Sequence, residues 1–195
     1  MRRVPILAGL LLAILVSGCA PRARPSQVRP AMDYSYGPAK PAAIESNMAP
    51  DYTGTPARMF VVTDIGIDFG EDYGNSFQEN FVALAKDCAI DSEVSRIPTF
   101  DQARAARQQR MRKFAPDTIL TIYRNGGVTQ QTAILSVIYD VKVIDVKSGK
   151  LVWRAQVNYE KGDFRKLKER GREIALELLT KMKDDQLLRN CRLSG

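Results

Sequence analysis

The chain has 195 residues, a formal net charge of +7, 45% hydrophobic content, three cysteines and no histidine. That length suits one domain with appendages. Without histidine there is no Ser-His-Asp or Cys-His catalysis, no His-bound zinc or iron, and no imidazole pH switch.

Arg2 and Arg3 precede an apolar stretch, Val4 to Val16, of thirteen residues. A membrane-spanning helix needs about 20. A charged start and a short apolar core make residues 1–18 a signal peptide, outside the fold. Its ending, Val16-Ser17-Gly18-Cys19, resembles the lipobox of bacterial lipoproteins, with Val16 where Leu is commoner. The resemblance implies a diacylglycerol on the Cys19 thiol and acylation of the freed amine. The alternative is an ordinary secretory signal in which Cys19 is incidental. Two or three acyl chains hold a bilayer far more tightly than one. The mature chain is therefore expected to be held by membrane lipid through acylated Cys19 without spanning the membrane. Ala20, rather than Asp, follows the cysteine; by the same resemblance this points to the periplasmic side of the outer membrane, not to the inner membrane.

Loss of residues 1–18 removes Arg2 and Arg3 and no acid, leaving 27 basic against 22 acidic residues, a net +5. That surplus suits anionic lipid, peptidoglycan or an acidic protein. Nucleic acid is not an expected partner outside the cytoplasm. With Cys19 lipidated, Cys88 and Cys191 are an even pair for an oxidising compartment, able to form one disulfide. The competing reading is that Cys88 is a buried core residue.

Residues 20–57 hold seven of the ten prolines and no apolar periodicity, the composition of a linker. The expected organisation is thus a signal peptide at 1–18, lipidated Cys19 with a Pro-rich disordered tether to 57, and a periplasmic domain over 58–195. Tyr34, Tyr36 and Tyr52 read as scattered linker aromatics, with a short docking motif as the alternative.

In the domain, Met59 to Ile67 reads as a strand, followed by an acidic loop from Gly70 to Asn75. Ser76-Phe77-Gln78-Glu79 has the form of a capping box, and Phe77, Phe81, Leu84, Ala85 and Cys88 make one helical stripe. Glu93 to Ile97 reads as a short strand, and Asp101 to Phe114 as a helix ended by Pro116. Asp117 to Arg124 leads to a turn at Asn125-Gly126-Gly127, then strands at Gln131 to Val146 and Leu151 to Glu160, both alternating with period two. Lys147 to Lys150 makes a tight connection. A closing helix from near Asp163 carries Phe164, Leu167, Gly171, Ile174, Ala175, Leu178 and Met182 on one stripe, with Gly171 allowing close helix–sheet approach. The order β-α-β-α-β-β-β-α predicts an α+β domain: a two-layer mixed sheet with an antiparallel three-strand meander and helices packed on one face.

The hairpin reading Val143-Ile144-Asp145-Val146-Lys147-Ser148-Gly149-Lys150-Leu151-Val152-Trp153 resembles a D-x-x-[ST]-G-x-x-[VL]-W hairpin of envelope lipoproteins. These are the penicillin-binding-protein activator lipoproteins, the curli-secretion lipoproteins and relatives of the amino-terminal domain of the Tol-Pal translocation protein. Asp145, Ser148, Gly149 and Trp153 match, and the element order agrees over 58–183. The resemblance implies binding and assembly, with no catalytic residues and no cofactor. Curli-type members build pores from long amphipathic hairpins, and no separate pair of such lipid-facing segments is evident here.

Asp64, Asp68, Glu71 and Asp72 lack the EF-hand ligand spacing and read as a solvated acidic loop rather than a calcium or glycan-cleaving site. No metal site is expected. Cys88, on an apolar stripe, is no exposed nucleophile. Gly126 and Gly127 lack the lysine context of a phosphate loop. The helix at 101–114 presents Arg104, Arg107, Arg110, Arg112 and Lys113, either a solvated basic face or a contact surface for an acidic partner. Arg107 shares the stripe of Phe100, Ala103, Met111 and Phe114, and either snorkels or pairs with an acid on a partner. The reading is a non-enzymatic, membrane-anchored module that binds or regulates an envelope protein. The alternatives are a structural subunit of an oligomeric envelope or secretion complex, and an enzyme using acids without histidine.

Overall fold

The computed structural model describes residues 40–97, 103–130, 133–160, 162 and 166–193. The signal peptide, Cys19, Tyr34, Tyr36, Phe100, Asp163 and Phe164 lie outside the described residues. Strands β1 (Ala43–Met48), β2 (Arg58–Thr63), β3 (Asp91–Arg96), β4 (Thr118–Gln130), β5 (Ala133–Asp145) and β6 (Leu151–Glu160) form one sheet in the order β1-β6-β5-β4-β2-β3. Helices α1 (Glu71–Asp87), α2 (Ala103–Phe114) and α3 (Leu167–Asp184) complete an α+β fold. β2 runs parallel to β3 and β4, and every other pair is antiparallel. The meander β4-β5-β6 is as the alternation predicts: Val137, Tyr139, Val141 and Val143 are buried, as are Trp153, Ala155, Val157 and Tyr159.

The first correction concerns the boundary at residue 58. Residues 43–48, expected in the tether, form β1 and pair with β6 from Ala43–Asn158 to Met48–Trp153. Ile44, Ser46 and Met48 face inward. The strand is short, flanked by Pro41 and Pro50, and sits at an edge, where proline is tolerated.

The second concerns the helices, which do not share one face. α1 and α3 pack against each other and cover one side of the sheet with Tyr73, Phe77, Phe81, Ile174, Leu178 and Met182. α2 lies on the other side, where Phe114 meets Phe60 at 6.0 Å between ring centroids. From β2 the chain crosses to β3 on one flank, then returns past β2 to β4 on the other. Right-handed crossovers in opposite directions put their helices on opposite faces. β2 is consequently buried on both sides from Met59 to Thr63.

Two local expectations are also corrected. α1 starts at Glu71, not after the acidic stretch, because Gly70 turns the chain at φ 96° and Glu71 and Asp72 suit the positive end of the helix. Ser76 therefore lies inside the helix, and its hydroxyl donates to the Lys168 carbonyl at 2.5 Å instead of capping. Asn125-Gly126-Gly127 is no turn either. β4 continues to Gln130 through a register shift between Arg124 and Gly126, a bulge made possible by Gly127 at φ 149°. A Cβ on Gly127 would lie 2.3 Å from the Ser136 carbonyl oxygen.

Gly171 does provide a close approach, but between helices. A Cβ there would stand 2.5 Å from the Tyr73 carbonyl oxygen and 2.9 Å from the Phe77 nitrogen, both on α1. Among the described residues no helix is long and apolar enough to cross a membrane.

Candidate functional site

The hairpin between β5 and β6 is fastened by its own polar residues. The Asp145 carboxylate accepts the Ser148 N–H at 2.8 Å and the Ser148 hydroxyl at 2.6 Å. These donors hold the Asp145 carboxyl below the usual carboxylate range. Gly149, at φ 67°, closes the turn and donates its N–H to the Asp145 carbonyl. Trp153 is buried, and its indole N–H reaches Asp185 just beyond α3 at 2.8 Å. Asp185 also accepts from Lys181 at 2.7 Å and from Ser46 at 2.5 Å. The four matching positions of the hairpin thus act on the fold: three shape the turn, and the tryptophan locks β6 to the end of α3 and to β1.

The acidic stretch is engaged internally. Asp64 accepts the Arg124 N–H at 2.9 and 3.1 Å, and Asp68 pairs with the Arg124 guanidinium. Burial raises the Asp64 carboxyl, opposed by the Arg124 N–H. Glu71 pairs with Arg96 at 2.6 Å, and Asp72 is exposed. Among the described residues, no three His, Cys, Asp or Glu side chains are grouped to hold a metal ion.

Cys88 is buried at the end of α1 and forms a disulfide with Cys191 across 103 residues. The basic residues of α2 divide. Arg104, Arg112 and Lys113 are exposed. Arg110 is drawn to β3, its Nε donating to Glu93 at 2.7 Å and a terminal nitrogen to the Val94 carbonyl at 3.3 Å. Arg107 turns toward the sheet and lines a cleft with Ile65 and Ile97.

Sequence reasoning missed two arginines. Arg170 on α3 is 3% exposed, with its guanidinium 4.2 Å over the Tyr159 ring, and it donates to the carbonyls of Glu160 at 2.7 Å and Lys40 at 3.4 Å. Tyr159 in turn donates its hydroxyl to the Arg170 carbonyl at 2.7 Å, and burial pushes its ionisation far upward. Arg96 ends β3 beside the cleft. It lies over Gly66 and Gly74, where a Cβ would fall 3.1 and 2.2 Å from an Arg96 terminal nitrogen.

No protein-family model and no curated protein matches the chain. Among solved structures, it is similar to two PelC dodecamers from Paraburkholderia phytofirmans. One has 14% identity and a TM-score of 0.44, over 71% of this chain and 96% of that one. The other has 16% identity and a TM-score of 0.44, over 78% and 99%. A PDZ domain protein from Parabacteroides distasonis has 11% identity and a TM-score of 0.39, over 73% of this chain and 36% of that one. Likeness this remote transfers no function.

Proposed function

We propose that the chain is a lipid-anchored envelope lipoprotein, held at the periplasmic side of the outer membrane by acylated Cys19, that works by binding another envelope protein rather than by catalytic turnover. The observation that carries this reading is Val16-Ser17-Gly18-Cys19, which begins at the last residue of a thirteen-residue apolar core behind a charged start. With β1 part of the domain, the stretch from Ala20 to Ala42 is the tether. Its far end is pinned beside α3, where Glu177 accepts the Ala42 N–H at 2.9 Å and Arg170 holds the Lys40 carbonyl.

The contact surface in this reading is the outer side of α2, where Arg104, Arg112 and Lys113 stand exposed without an ion-pair partner among the described residues. Such a face suits an acidic partner, because rim charges steer encounter and set selectivity. A photocrosslinking residue at Gln108, between these cations, tests it in intact cells. The expected result is one crosslinked envelope protein, lost when Arg104, Arg112 and Lys113 are changed to Glu. A crosslink to a second copy of the chain would favour the assembly-subunit alternative, and an unchanged crosslink after charge reversal would remove α2 from the contact.

A further inference from the structure

The cleft beside Arg96 lies where the fold provides a crevice. At the carboxyl ends of the parallel strands β2 and β3 the chain leaves toward opposite faces, to α1 and to α2. Open sheets bind ligands at such a switch point. The cleft has a volume of about 480 Å³ and is lined by Ile65, Gly66, Ile97, Arg96, Arg107 and Arg110 among others. That volume is within the range of small-molecule sites.

Three arginines line the cleft, against one acidic residue, Glu71, among the described residues. Arg110 is occupied by Glu93 and the Val94 carbonyl. Arg96 spends one terminal nitrogen on Glu71, and the other lies over Gly66 and Gly74, which have no side chains to exclude it. Arg107 differs from both. Its Nε is shut off from solvent yet has no hydrogen-bond partner among the described residues. A buried donor left unmade costs about 1–3 kcal/mol, more on a charged group, and Arg107 lines the open cleft, so a small shift of its side chain that exposes Nε would let it take an acceptor supplied from outside.

We propose that this cleft is a binding site for a small ligand carrying an anionic oxygen group, a carboxylate or a phosphate. Arg107 is the principal donor and Arg96 the second. The planar fork of a guanidinium fits either oxyanion through two parallel hydrogen bonds. Ile65 and Ile97 supply apolar wall for the remainder of the ligand. This site is separate from the outer side of α2 and does not depend on the lipid anchor.

The test is NMR of the full chain in detergent, labelled with ¹⁵N-arginine, following the Nε–H signals during titration with inorganic phosphate, with acetate and with neutral acetamide. The expected result is a saturable shift of the Arg107 signal at millimolar phosphate or acetate and none with acetamide. The anion that saturates first identifies the phosphate or the carboxylate class. Arg107→Gln should weaken that binding about tenfold or more, and Arg107→Lys, which keeps the charge but loses the fork, should weaken it less. If Arg107→Gln lowers the melting temperature, the Lys variant alone decides, and binding unchanged in it overturns the role of the fork. Shifts that fail to saturate, or that are equal at Arg104 and Arg112, would overturn the site.

Discussion

The indole N–H of Trp153 in β6 donates to the carboxylate of Asp185, 32 residues away, at 2.8 Å. Ser46 of β1 and Lys181 of α3 use the same carboxylate, so one side chain ties two strands and a helix. Asp185→Ala should cost about 2–3 kcal/mol, because it leaves a buried N–H unpaired and removes three charge-assisted bonds. Burial acts to raise the Asp185 carboxyl, but the hydrogen bonds from Lys181, Ser46 and Trp153 outweigh it and hold the group low. A carboxyl lowered by folding contributes stability at neutral pH that is lost as pH falls through its folded value, below about pH 4. Trp153 is the chain's single tryptophan. Its fluorescence during acid titration should report the loss, and Asp185→Asn should flatten that acid-dependent change.

Gly171→Ala tests the contact between α1 and α3. On an exposed helix this change would stabilise by about 1 kcal/mol. Here the new methyl would meet backbone atoms of Tyr73 and Phe77, which cannot move aside as a side chain can. Overpacking of this kind costs about 1–3 kcal/mol. Urea denaturation should show net destabilisation, and a gain in stability would contradict the packing described.

The Cys88–Cys191 disulfide closes 103 residues. Loss of such a loop constraint destabilises by about 4–5 kcal/mol in the chain-entropy model. Cys191→Ser, or reduction, should lower the urea midpoint markedly, and free-thiol titration of the unfolded oxidised domain should find neither cysteine reactive.

Arg170→Met keeps an apolar stem over Tyr159 but strips the donors from the Glu160 and Lys40 carbonyls. A loss of about 2–3 kcal/mol is expected. Tyr159→Phe removes one buried hydrogen bond to the Arg170 carbonyl, worth about 1–1.5 kcal/mol. Because the two residues touch, the double variant should lose less than the sum, a coupling that equilibrium denaturation of the four proteins would measure.

Much of the α+β architecture was legible, because period-two alternation in β5 and β6 and the helical stripes of α1 and α3 are short-range patterns. The rest depended on contacts that local pattern does not carry. β1 announces itself only through Ile44, Ser46 and Met48, and its prolines read as linker until β6 is there to pair with. The unbroken apolar run Met59-Phe60-Val61-Val62 did carry a signal that went unused: a strand without alternation is covered on both faces, and α2 supplies the second cover. Gly126-Gly127 reads as a turn or as a bulge equally well, and only the ladder to β5 decides. Of the candidate contact residues, Arg104, Arg112 and Lys113 stayed exposed and unpaired among the described residues, Arg110 stayed exposed but paired with Glu93, and Arg107 turned toward the cleft. Which way each points follows from where β3 lies, a nonlocal fact. Arg96 and Arg170 were missed for the same reason, since their environments come from segments distant in sequence.

The account rests on the chemical state of Cys19, and the most direct measurement is mass spectrometry of the N-terminal peptide from the membrane fraction of cells producing the full chain. The expected result is a peptide that begins at Cys19 and carries a diacylglyceryl thioether, with the protein released to the soluble fraction on Cys19→Ser. A peptide beginning elsewhere, or an unmodified Cys19 thiol in a protein that remains with the membrane, would contradict it.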